Sequence, residues 1–210
     1  MIKLVIFDLD GTILDAYKAI QESLNFTLRS LGHPPVGAAG VRRAVGYGDI
    51  NFIQRFVKEE EAENALKIYR EHHKTALLKY SRTKPQARKI LGYLKKRGYK
   101  LAVASNRPRK FSNILLRHLG LKKYFKVVLC GKNKNDIKPK PALLNKIIRR
   151  LEIKKNEAVY VGDMVVDVRA GRNAGIKTVA ITSGSSTRAE LKRAGPFRII
   201  SRLSELLELV

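Results

Sequence analysis

A chain of 210 residues, 44% of them hydrophobic, has the material for a buried core and for one large domain or one domain carrying a smaller insert. No charged start runs into an apolar stretch and cleavage site, and no apolar run is long enough to cross a bilayer, so export and membrane insertion are not indicated and a cytoplasmic protein is expected. The net charge of +25 admits a nucleic-acid partner, a small anionic substrate or an electrostatically adapted surface, and charge alone does not separate the three. The single cysteine, Cys130, excludes an intramolecular disulfide and reads as a small buried hydrophobe at a strand end.

Short apolar runs bounded by turn residues recur along the chain at Ile2 to Leu9, Leu101 to Ala104, Val127 to Cys130, Ala158 to Val161, Thr178 to Ile181 and Phe197 to Ile200. Each is rich in Val and Ile, as a strand buried on both faces requires. Between most of them lie helical periodicities, such as Ile90, Leu91 and Leu94, or Leu143, Leu144, Ile147 and Ile148. Alternation of this kind predicts an α/β fold, a Rossmann-like doubly wound parallel sheet. Residues 15–81 break the rhythm with helical pattern only, over Ala16 to Leu31, Gly40 to Ala44, Ile50 to Val57 and Glu60 to Tyr80, while "GHPPVGAAG" (32–40) reads as a loop. The expectation is a core of residues 1–14 and 82–210 with an inserted helical cap at 15–81, joined near Asp15 and Arg82. The insert carries 10 Lys/Arg against 8 Asp/Glu and the core 33 against 10, so the core holds +23 of the +25.

Ligands of a parallel α/β sheet bind beyond the carboxyl ends of its strands. There the sequence places Asp8, Asp10 and Thr12, then Ser105 and Asn106, then Asp163 and Asp167, with Lys138 in the preceding "DIKPKP". Residues i and i+2 of a strand share a face with Cα atoms about 6.6 Å apart. Two carboxylates at roughly 7 Å repel by about 2.4 kcal/mol at an effective dielectric near 20. Such a cluster needs a cation, and oxygen donors with no Cys or His motif favour Mg²⁺ over Zn²⁺. An apolar strand offers unpaired Asp8 and Asp10 nothing else to satisfy them. Thr12 and Ser105 also suit helix or turn caps. Lys138, in a basic stretch with Lys132, Lys134 and Lys140, also suits a solvated face.

The four motifs "DLDGT" (8–12), Ser105 in "ASN", the lysine of "KPKP" and "GDMVVD" (162–167) occur in the order that resembles the haloacid dehalogenase-like phosphohydrolases with an α-helical cap. That resemblance implies Asp8 as nucleophile forming an aspartyl-phosphate and Asp10 as general acid and then base. It also implies Thr12, Ser105, Asn106 and Lys138 on the phosphate. Mg²⁺ would be held by Asp8, the Asp10 carbonyl and Asp163, with Asp167 either a further ligand or orienting Lys138 and a water. "LGHPPVGAAGVRRAVGYG" (31–48) resembles the cap of phosphoglycolate phosphatases, which makes Arg42, Arg43, Gly46 and Gly48 candidate specificity residues. The sequence departs from the family pattern at Met164, where Ser or Thr is common, at Ala142, where an acidic residue is frequent, and at Gln86, where glycine is usual, and none of these is a catalytic group.

The implied function is a Mg²⁺-dependent phosphomonoesterase on a small phosphorylated metabolite, phosphoglycolate first, as a monomer or dimer. Pyrophosphatase, nucleotidase and phosphosugar mutase activities belong to the same superfamily. From another class, the basic core suits nucleic-acid binding or nucleic-acid end-phosphatase activity. Against that class stand the lack of a recognisable nucleic-acid module and an aromatic content of only 7%.

Overall fold

The computed structural model describes residues 1–131, 133 and 135–210, so Lys132 and Lys134 of the basic stretch lie outside the described residues. The chain runs β1 (Leu4–Phe7), β2 (Leu14–Asp15), α1 (Tyr17–Ser30), α2 (Ala38–Ala44), α3 (Asp49–Ile53), α4 (Ala62–Tyr80), β3 (Arg82–Thr83), α5 (Ala87–Lys96) and β4 (Lys100–Ser105). It continues through α6 (Arg109–His118), β5 (Val127–Cys130), α7 (Ala142–Leu151), β6 (Ala158–Gly162), α8 (Val165–Ala174), β7 (Lys177–Ile181), α9 (Arg188–Ala194) and β8 (Arg198–Ile200).

Among the described residues, six of these strands form one parallel sheet in the order β5-β4-β1-β6-β7-β8. The doubly wound architecture read from the alternating pattern is therefore present. The centre belongs to β1 because all four of its residues are apolar and can be covered on both faces. Val5 and Phe7 join a core with Leu91, Leu94 and Leu115 from α5 and α6, whereas Leu4 and Ile6 point the other way, into Leu144, Ile147 and Ala170 of α7 and α8. Burying each of the larger side chains is worth about 1.5–3 kcal/mol, so the strand is fixed in register from both sides.

Phe7 is level with Val103 of β4 and Val161 of β6, so the residues that follow in all three strands emerge together at one sheet edge. The first strand ends earlier than its apolar run. Asp8 still donates its N–H to Val161 (2.8 Å), but the Leu9 carbonyl accepts from Thr12, Ile13 and Leu14, which closes a tight turn instead of continuing the ladder. The helices between β2 and β3 pack on their own cluster, in which Leu24 and Leu28 meet Phe52, Ile53 and Tyr69. The segment expected to run helically from Ile50 to Val57 stops at Ile53, and a 3-10 turn at Glu59–Glu61 precedes α4. Chain entry and exit of this insert lie side by side, because Leu14 and Asp15 pair antiparallel with Thr83 and Arg82. Just after this ribbon Gln86 sits at φ 61°, a left-handed conformation costly to any side chain and open to the glycine that the resembled pattern would place there.

Helix α8 approaches β7 closely at Gly171, where a Cβ would fall 1.8 Å from the Thr178 Oγ1. Gly171→Ala is expected to cost about 1–3 kcal/mol by overpacking. Adding Thr178→Ala should recover about 1 kcal/mol or more, a coupling that chemical denaturation of the double-mutant cycle measures.

Candidate active site

The turn after β1 sends its two aspartates to different partners. Asp8, 6% exposed, accepts from the Lys138 ammonium through Oδ1 (2.7 Å). The same ammonium donates to Asp167 Oδ1 (2.7 Å) and to the Tyr160 hydroxyl (3.0 Å), and lies 3.3 Å from the Ala104 carbonyl. Burial alone would depress this ammonium, but Asp167 and Asp8 outweigh it and hold it above the usual lysine range. Asp167 is fixed twice more, by Tyr160 OH on Oδ1 (2.8 Å) and by the Met164 N–H on Oδ2 (2.9 Å) at the start of α8. Asp163, fully buried, accepts from Thr12 Oγ1 on Oδ1 (3.2 Å) and from the Ser185 N–H (2.7 Å) and Tyr17 OH (3.4 Å) on Oδ2.

Oxygens of Asp8, Asp163 and Asp167 all lie within 4.8 Å of one another. Burial, only partly offset by Lys138, pushes the Asp8 carboxyl up to about 6, with Asp167 adding repulsion and Asp10 contributing least. Asp163 is raised well above the carboxylate range by burial first and then by Asp167 and Asp8. Three buried carboxylates against one ammonium form a hard, oxygen-only donor set short of positive charge, and a divalent cation of the Mg²⁺ type fits it.

Asp10 stands apart from this triad. Its two oxygens are gripped by Arg107, Nε on Oδ2 and Nη2 on Oδ1, both at 2.8 Å. Arg107 is in turn held from the insert, donating from Nη1 to His73 Nε2 (3.0 Å) on α4. Burial and the neighbouring Arg107 keep His73 well below its ordinary range, so it is the neutral acceptor, and its Nδ1 lies 2.9 Å from Ser23 Oγ on α1.

Asp8, Asp10, Ser105, Asn106, Arg107 and Lys138 line a cavity roofed by Ile20, Val45, Gly46, Gly48 and Phe52 of the insert. Ser105 Oγ accepts the Arg107 N–H (3.2 Å), which leaves its hydroxyl a donor toward the cavity. Asn106 spends its amide on protein groups, donating to the Gly46 carbonyl (2.7 Å) and the Lys138 carbonyl (3.1 Å) and accepting from the Lys138 N–H (2.8 Å). Thr12 likewise faces Asp163 rather than the cavity. Arg42 lies outside the cavity lining, stacked 4.2 Å over the Tyr17 ring and donating to the Gly184 carbonyl (3.2 Å), and Arg43 is exposed.

Residues 5–181 match the family model for haloacid dehalogenase-like hydrolases. The chain belongs to this family. It is an enzyme of the haloacid dehalogenase-like type and resembles the family's phosphatases. Over 99% of its length it is 31% identical to the phosphoglycolate phosphatase of Aquifex aeolicus, covering 96% of that protein. It is 30% identical over 98% of its length to phosphoglycolate phosphatase 1 of Pseudomonas aeruginosa, covering 78% of it. A crystal structure from Haemophilus somnus 129pt, described as a predicted phosphoglycolate phosphatase, superposes with a TM-score of 0.94 at 26% identity, covering 99% of this chain and 97% of the other. No helix among the described residues of this haloacid dehalogenase-like hydrolase is long and apolar enough to cross a membrane.

The structure thus gathers Asp8, Ser105, Lys138, Asp163 and Asp167 at one sheet edge, places Asp10 on Arg107, and turns Thr12 and Asn106 onto protein partners. Cys130 is buried at its strand end, as expected, with Sγ 3.3 Å from Ser112 Oγ. Sequence reasoning did not single out Arg107, His73, Tyr160 or the strap at 183–186. The strap meets the site at Gly184, where a Cβ would lie 1.8 Å from Asp163 Oδ2. Gly184→Ala should displace that carboxylate and weaken divalent-cation binding about 10- to 100-fold, as titration calorimetry would show, with the circular-dichroism spectrum unchanged.

Proposed function

We propose that this enzyme is a Mg²⁺-dependent phosphomonoester hydrolase that works through an aspartyl-phosphate on a small phosphorylated metabolite, with phosphoglycolate as its leading substrate. The observation that carries the reading is the Asp8 carboxylate at the cavity floor, backed by Lys138 and flanked by two further buried carboxylates. The names of the relatives supply the substrate.

Asp8 attacks phosphorus in line, forming a new P–O bond as the ester P–O bond breaks. Asp10 gives its proton to the departing oxygen, then takes one from the water that attacks the phosphoryl group and frees Asp8. Ser105 donates to a phosphoryl oxygen, and Lys138 offsets negative charge on Asp8 and the phosphate. Asp8, Asp163 and the Asp10 carbonyl would hold the ion, with Asp167 fixing Lys138. When bound, Mg²⁺ relieves carboxylate repulsion and lets an anionic nucleophile approach an anionic phosphate.

The helical insert acts in this proposal as a cap hinged at the β2–β3 ribbon, closing over the cavity to exclude water. Lys84 links the ribbon to the strap, 3.6 Å from Asp15 and donating to the Ser183 carbonyl (2.8 Å). The setting proposed is cytoplasmic.

Asp8→Asn is expected to lower turnover of phosphoglycolate by at least about 10³-fold with thermal unfolding little changed, and retained activity would remove Asp8 as the nucleophile. Chelation by EDTA should silence the wild-type enzyme and added Mg²⁺ restore it. Phosphate release in a coupled colorimetric assay reads both.

A further inference from the structure

We propose that Arg107 reads a carboxylate on the leaving group of the substrate, which takes the place that Asp10 occupies in its guanidinium fork. The proposal rests on the phosphomonoesterase reading and adds to it the chemical class of the group beyond the phosphate.

Among the described residues, the lysine and arginine side chains that line the cavity are Lys138 and Arg107. Lys138 is committed to Asp8 and Asp167. Near the insert the wall is apolar at Ile20, Val45 and Phe52, and its polar members Tyr17, Asp49, Tyr69 and His73 already bond protein groups, which leaves the hydroxyls of a sugar or nucleoside few free partners. A short leaving group with one anionic end matches this lining.

Arg107 already displays a bidentate carboxylate grip. Its fork holds both oxygens of Asp10 at 2.8 Å. From behind, it is held by a chain with one consistent direction: Nη1 to His73 Nε2 (3.0 Å), His73 Nδ1 to Ser23 Oγ (2.9 Å), and Ser23 Oγ to the Ala19 carbonyl (2.9 Å). The guanidinium is therefore anchored, whereas Asp10 has room to leave, its side chain being 20% exposed against 6% for Arg107. Exchanging one carboxylate for another keeps the buried guanidinium paired. A neutral leaving group offers no such exchange.

The swap also frees Asp10. Locked in the fork, its carboxyl cannot turn toward the oxygen that leaves phosphorus. Released by an incoming carboxylate, it takes up a proton from solvent and gains that freedom at the moment the substrate is in place. One exchange thus selects the substrate and delivers the proton carrier.

The test uses two substrates that differ only in the carboxylate, 2-phosphoglycolate and ethyl phosphate. Wild-type enzyme with Mg²⁺ should favour phosphoglycolate by at least about a hundredfold in kcat/KM. Arg107→Gln should bring the ratio to within about threefold, mostly through the KM for phosphoglycolate, and Arg107→Lys, which keeps the charge and loses the fork, should fall between. A ratio that survives both substitutions, or a wild-type enzyme indifferent to the carboxylate, overturns the proposal while leaving the phosphatase intact. Thermal unfolding reports whether the variants fold, and if the Gln variant does not, the Lys variant decides. Calorimetric binding of both compounds to Asp8→Asn protein, with and without Arg107→Gln, separates recognition from chemistry. Phosphoglycolate bound through Arg107 by an enzyme that hydrolyses no phosphomonoester would sustain the recognition and sink the phosphatase reading. Equal binding of the two compounds would overturn the recognition.

Discussion

The ammonium of Lys138 is the point on which the rest of the site depends. It comes from the loop before α7 and reaches under the sheet edge to Asp8 after β1, the Ala104 carbonyl of β4, Tyr160 of β6 and Asp167 of α8. An ion buried this deeply is costly unless nearly every polar atom around it is satisfied. Here the cost is offset by two carboxylates and a hydroxyl, and the same contacts align three strand ends and a helix start. Removing the ammonium would leave Asp8 and Asp167 facing each other at low dielectric with Asp163 beside them. Asp8 is thus held in place by the charge that also opposes the effect of burial on it.

Against this anchored floor, the upper half of the site is built from contacts that cross between insert and sheet. Tyr17 of α1 touches Asp163 and Ser185, Arg42 of α2 touches Gly184, and His73 of α4 touches Arg107. The strap at 183–186 takes part in two of these four, and it is tied to the core where Ser183 donates to the Gly11 carbonyl (2.6 Å) and Ser186 accepts from the Val165 N–H (3.1 Å). Met164 belongs to the same seam. Where the family pattern has a hydroxyl, its thioether lies against Gly46 of the insert, and Asp163 takes its hydrogen bonds from Thr12, Tyr17 and Ser185 instead.

What was legible in the sequence was whatever a short segment decides. An apolar run followed at once by Asp8, Ser105 or Asp163 states both the strand and the residue at its end, so sheet, order of motifs and acidic triad could be read directly. Contacts between distant segments were not legible. Arg107 is separated from Asp10 by 97 residues and from His73 by 34, and in a chain with 43 Lys/Arg an arginine after a strand carries no local signal. The pairing of Asp8 with Asp10 was overestimated for a related reason. The i, i+2 spacing assumed a continuing strand, but the three hydrogen bonds to the Leu9 carbonyl end it and free Asp10 to face Arg107. Thr12 turns onto Asp163 in the same turn.

The charge of the chain acts on a longer scale than any of these contacts. The catalytic edge itself is acidic, yet it sits in a core whose net charge is +23 by sequence. At distances near a Debye length an anionic ligand responds to the summed field, which is positive, and only within the cavity does it meet individual carboxylates. There the balance is set locally, by Lys138 between Asp8 and Asp167 and by Arg107 against Asp10. Long-range attraction therefore brings small anions to the mouth without distinguishing among them, and discrimination falls to the few buried cations whose geometry is already fixed by protein carboxylates.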